Sequence, residues 1–109
     1  FNEQAMEKPA YTVFPYVYDY FQFTNTPVRE GMSASEVALM ERTMRRFGAA
    51  GVLTQMSQIY ALNGRPDDAI KTLLTIHRLH PVKYKETYEF WRHAPEQYQA
   101  IFKRLPAPV

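Results

Sequence analysis

The residues best suited to chemistry are three histidines and a neighbouring carboxylate. His77 and His80 stand three positions apart near the end of an apolar helical pattern, and Glu89 and His93 stand four apart. Either spacing puts two ligands on one helical face. A zinc site needs three or more such groups to converge, and neither H-E-x-x-H nor another paired-ligand motif is present. The histidines therefore read as helix C-terminal residues that complement the dipole or face water, and no metal is expected. No G-x-S-x-G elbow marks a serine nucleophile. The adjacent Asp67 and Asp68 are the one close carboxylate pair, and a helix start explains them. Cysteine is absent, which removes thiol nucleophiles, disulfides and thiolate zinc sites. The four glycines are scattered, so no phosphate-binding loop exists, and no catalytic residue or cofactor is expected.

Two groups of residues suit contact with another molecule. Arg42, Arg45 and Arg46 form a local basic cluster with Arg29 upstream. Arginine pairs phosphates in a bidentate fashion, so the cluster could meet lipid phosphates or a pyrophosphate. The plainer reading is a solvated helix face beside Glu41. The second group is aromatic: Tyr11, Phe14, Tyr16, Tyr18, Tyr20, Phe21 and Phe23. Tyrosines such as Tyr16 and Tyr20 suit bilayer interfaces and sugar or protein surfaces. The plainer reading is again packing beneath the rest of the fold. Trp91 could stack on a sugar ring, but its spacing from Tyr84 and Tyr88 argues first for core packing.

These residues sit on a chain of 109, which is one domain's worth. Its formal net charge of +2 makes no electrostatic case for binding nucleic acid. Hydrophobic residues at 46% exclude a disordered chain. No apolar run reaches the roughly 18–20 residues that span a bilayer, and no signal peptide opens the sequence. The chain begins on Phe1, and is expected to be a segment cut from a longer polypeptide or a processed product.

Helix-period patterns cover most of the length. Residues 1–10 read as an extended lead-in. Phe14, Val17, Tyr18 and Phe21 then mark one face of a first helix. Ser33 and Glu36 have capping-box spacing and start a second helix, with Val37, Met40, Met44 and Phe47 on its inner face. A third is expected over 51–62, stopped by Asn63 and Gly64, both tolerant of left-handed backbone. Pro66 opens a fourth at its first turn, with Ala69, Leu73, Leu74, Ile76 and Leu79 apolar. A fifth is expected over 83–93, with Tyr84, Tyr88 and Trp91 on one side. Pro95 opens a sixth, carrying Tyr98, Ile101, Phe102 and Leu105. The expected fold is all-α, five to six short helices in antiparallel hairpins.

The hairpin over 50–83 resembles one tetratricopeptide repeat. Leu53, Met56 and Tyr60 fall on its first helix, Gly64 and Pro66 in its turn, Ala69, Leu73 and Ile76 on its second, and Pro81 at its close. Leu53 stands where Trp is common, and Ser57 where Gly is common. One repeat cannot bury its own faces, so the flanking helices must complete the stack. The string from Tyr60 to Ala69, with Leu79-His80-Pro81 and Trp91 downstream, further resembles the carboxy-terminal domain of bacterial O-oligosaccharyltransferases of the PglL/PilO type, relatives of the O-antigen ligases. The resemblance implies a periplasmic, tetratricopeptide-like domain at the inner membrane, attached to a multi-pass protein that moves lipid-linked glycan to Ser or Thr of an acceptor such as pilin. The family's catalytic histidine lies in a loop outside this sequence. The expected partners are the acceptor and the membrane part of the same polypeptide, with the membrane surface as a further contact. A free-standing adaptor that binds peptides is the alternative.

Overall fold

A computed structural model describes residues 21–109 and is all-helical over that range. The lead-in at 1–10, Phe14, Tyr16, Val17, Tyr18 and Tyr20 lie outside the described residues. Residues 21–25 are helical. Phe23 is sealed in the core at 1% exposure, whereas Phe21, expected on the inner face, is 63% exposed.

Helix α1 runs over Ala34–Arg46, and its start is set by chemistry local to the sequence. The Glu36 amide donates to Ser33 Oγ at 3.1 Å, and the Ser33 amide donates back to Glu36 Oε1 at 2.9 Å. Arg29 donates to the same carboxylate at 2.7 Å. That bond, followed by the one from the Ser33 backbone, holds the Glu36 carboxyl below its ordinary range. Val37, Met40 and Thr43 face inward, with Met44 and Phe47 half-buried beside them.

Helix α2, Ala50–Leu62, buries Val52, Leu53, Met56, Ser57, Ile59 and Tyr60. At 100° per residue these fall within an arc of about 160°, a wide face that meets both α1 and α3. It ends at a turn where Gly64 takes φ +74° and the Arg65 amide reaches back to Tyr60 O at 2.8 Å. That 6→1 bond is the helix-ending pattern expected of a glycine C′ residue. Asn63 does not share the left-handed backbone: its φ is −110°. A β-carbon on Gly64 would meet nothing within 4 Å. The cost of substitution is therefore purely torsional. We expect Gly64→Val to lose about 1–2 kcal/mol, because a β-branched residue is strained at positive φ; chemical denaturation will measure it.

Helix α3, Pro66–Leu79, buries Ala69, Ile70, Thr72, Leu73 and Ile76. Here the expected inner face needs correction. Leu74 and Leu79 are 41% and 48% exposed, and Ile70 takes the buried place instead. Leu74 lies about 100° around the helix from Leu73, away from the 69–73–76 stripe, and Leu79 falls on the final turn. Ala69 has no exposed surface. A leucine there has no room, so Ala69→Leu is expected to destabilise by about 1–3 kcal/mol through overpacking. Thermal unfolding checks this, and an unchanged midpoint would show that the α2–α3 contact is loose.

Helix α4, Pro81–Arg92, starts two residues earlier than the pattern suggested. Pro81 stops α3 and also occupies the first position of α4, where its missing N–H costs nothing. Tyr84, Thr87 and Trp91 are buried. The expected sixth helix is a 3-10 turn over Glu96–Tyr98 followed by a single α-turn, α5, over Gln99–Phe102. Ile101 and Leu105 enter the core, with Tyr98 and Phe102 half-buried. Consecutive helices pack on one another, and α5 also reaches back to α3. The result is a stack of antiparallel helical hairpins, with α2–α3 the most closely joined pair.

Polar ties fasten the stack where hairpins meet. Asn63 accepts from the Met32 amide at 2.9 Å and donates to Arg29 O at 3.0 Å and Ile59 O at 2.8 Å. His80 Nε2 meets Gly48 O at 2.8 Å, joining the α3–α4 junction to the α1–α2 loop. Since a carbonyl can only accept, that nitrogen carries the proton. Tyr84 Oη donates to Pro106 O at 2.7 Å, and Arg104 pairs with Asp67 at 2.8 Å, so both fasten the C-terminal segment. Burial pushes the Tyr84 phenol up to about 12, with Tyr88 adding to the shift.

Candidate functional site

Helices α2 and α4 both lie against α3, and between them runs a groove. At one end is a small apolar cavity of about 130 Å³ lined by Gln58, Ala61 and Leu62 of α2, Phe90 and Trp91 of α4, and Ala94, Pro95 and Tyr98 beyond. A second cavity of about 190 Å³ shares Gln58 and Phe90 and adds Thr54, Lys83, Glu86 and Thr87. The α2 contributors fall on the strip left free by its wide buried face. Phe90 is 55% exposed and presents its ring to the groove wall. Trp91 is nearly sealed and packs edge-to-face against Phe90 and Tyr98, with ring centroids 5.8 and 6.3 Å away. Its indole N–H and the Thr54 hydroxyl are buried without a hydrogen-bond partner. Both belong to residues that line this groove.

A charged cluster occupies the opposite side of α2. Tyr60 Oη donates to Glu41 Oε2 at 2.6 Å, and Arg65 reaches the same oxygen at 3.2 Å. Arg65 Nε also donates to Asp68 Oδ2 at 2.8 Å, and its guanidinium lies 4.7 Å from the Tyr60 ring centre. Burial, then the hydrogen bond to Glu41, hold the Tyr60 phenol well above the usual tyrosine range. Tyr60 therefore stays neutral and braces α1 against the α2–α3 turn.

The structure disperses the candidate chemistry. The His77 ring meets Tyr84 edge-on at 4.5 Å, His80 is bound to Gly48, and His93 caps α4. Glu89 pairs with Arg92 at 3.1 Å, not with His93. Among the described residues no group of three or more His, Cys, Asp or Glu could hold a metal. Arg42, Arg45 and Arg46 are all exposed, and Arg45 lines a groove together with Lys71 of α3. Lys71 is 26 positions away in sequence, and no local signal joins it to Arg45. Tyr16 and Tyr20 lie outside the described residues. Leu53, Met56, Tyr60, Ala69, Leu73, Ile76 and Trp91 all lie in the hydrophobic core. No described helix is long and apolar enough to cross a membrane.

Set against family models, curated proteins and solved structures, the chain matches none of them.

Proposed function

We propose that this chain is a non-catalytic docking domain, in which the α2–α4 groove holds a segment of a partner protein. The observation that carries the reading is the groove itself: an exposed Phe90 beside a sealed Trp91, between two helices that both lie against α3. Helical-hairpin stacks offer an extended surface of this kind. The resemblance of the Tyr60-to-Ala69 string, His80-Pro81 and Trp91 to the O-oligosaccharyltransferases supplies the setting. On that reading the domain lies at the periplasmic face of the bacterial inner membrane. It presents an acceptor such as pilin to a membrane-embedded transferase, which places lipid-linked glycan on Ser or Thr.

The test is capture of the acceptor protein by this chain, compared with a Phe90→Asp variant. Phe90 is exposed, so the change spares the fold while placing a charge in the groove. Binding by the parent chain that fails in the variant supports docking. Equal binding by both would remove the groove from the function. The upstream gene sequence tests the setting separately: it must encode several membrane-spanning segments.

A further inference from the structure

A second groove, of about 330 Å³, lies on the far side of α2. Leu53 and Tyr60, which line it, point roughly opposite to Gln58 and Leu62 at 100° per residue. Met44 and Leu53 form apolar wall, and Arg45 and Lys71 supply the cations. The nearby carboxylates are already engaged, Glu41 by Tyr60 and Arg65, and Asp68 by Arg65. Arg45 and Lys71 have no such partner among the described residues. Counting Arg65, three cations and two carboxylates leave one net positive charge. The threonines of the wall offer no free donor: Thr72 gives its proton to Asp68 O at 2.8 Å, and Thr75 to Lys71 O at 3.0 Å. The side-chain donors left for a ligand are those of Arg45 and Lys71.

We propose that this groove seats one carboxylate side chain of a partner protein, held by Arg45 and Lys71 with its aliphatic stem against Met44 and Leu53. A single carboxylate balances the charge. A phosphate, with about −1.5 to −2 charges at neutral pH, would exceed it. A lipid headgroup plane would not reach the wall formed by the buried Leu53 and Tyr60. The proposal stands apart from the α2–α4 groove and does not depend on the transferase setting.

The experiment is an amide-resolved NMR titration of the 109-residue chain. Four probes are used: a capped pentapeptide with one glutamate flanked by leucines, its glutamine counterpart, inorganic phosphate, and phosphatidylglycerol vesicles. The glutamate peptide should shift the amides of Gly48, Lys71, Thr72 and Thr75, and bind about tenfold tighter than the glutamine peptide, as charge-assisted pairing predicts. Arg45→Gln and Lys71→Gln should each abolish that preference. Arg46→Gln, which changes the net charge equally but lies outside the groove, should preserve it. All three side chains are exposed, so the variants keep the fold. Equal binding of the two peptides, equal loss in Arg46→Gln, or no shift at all would overturn the proposal. So would phosphate or vesicles moving these amides where the peptide does not.

Discussion

Replacing Trp91 with alanine is expected to cost about 3–5 kcal/mol, the range for deleting a large aromatic from a packed interior. Trp91 is 3% exposed and packs edge-on against Phe90 and Tyr98, where α4 meets the segment after it. The phenylalanine variant separates volume from polarity. Trp91→Phe keeps a ring against Tyr98 and also removes an indole N–H that has no partner. An unsatisfied buried donor carries a penalty of about 1–3 kcal/mol, so its removal offsets part of the lost volume. The net loss for Trp91→Phe should be under about 1.5 kcal/mol. Urea unfolding followed by far-UV circular dichroism measures both, since the only tryptophan is gone in each variant. Near-equal losses would mean that the indole N–H is satisfied in solution.

The second large effect is expected at Asn63. Its side chain makes three hydrogen bonds: two join the loop at 26–33 to the end of α2, and the third goes to Ile59 O of α2 itself. Asn63→Ala removes all three and leaves the Met32 amide unpaired. At about 1 kcal/mol for each of the two part-buried bonds, little for the exposed one to Arg29 O, and up to about 1 kcal/mol for the orphaned donor, the loss should be about 2–3 kcal/mol. Asn63→Asp is the informative control. It retains an acceptor for Met32 but turns a negative oxygen toward the Arg29 and Ile59 carbonyls. It should therefore be no better than alanine. Rescue by aspartate would show that the bond from the Met32 amide alone holds the loop.

Several boundaries were legible because their causes are local. Ser33 and Glu36 make their capping bonds within four residues of one another. Pro66 and Pro81 fix first helical turns by ring geometry, and Gly64 supplies a backbone that other residues resist. Helical periodicity likewise marked Val37, Met40, Leu53, Met56, Leu73 and Ile76 as inward, and all are buried. An all-α stack of hairpins follows from these signals alone.

Other features depend on which helix lies beside which, and periodicity says nothing of that. Ile70 is buried and Leu74 is exposed because α3 has neighbours on some sides and water on others. Asn63 looked like a helix stop, yet its side chain serves a loop more than thirty positions away. The expected inner face that included Phe21 gave way to Phe23, which packs in the core. The basic cluster at 42–46 is one run in sequence, but the groove that Arg45 lines takes its second cation, Lys71, from another helix. Composition and spacing determined the helices and their ends, through bonds and torsions that span a single turn. The tertiary structure alone decided the two grooves, because a groove is made by side chains that meet only after the hairpins have stacked.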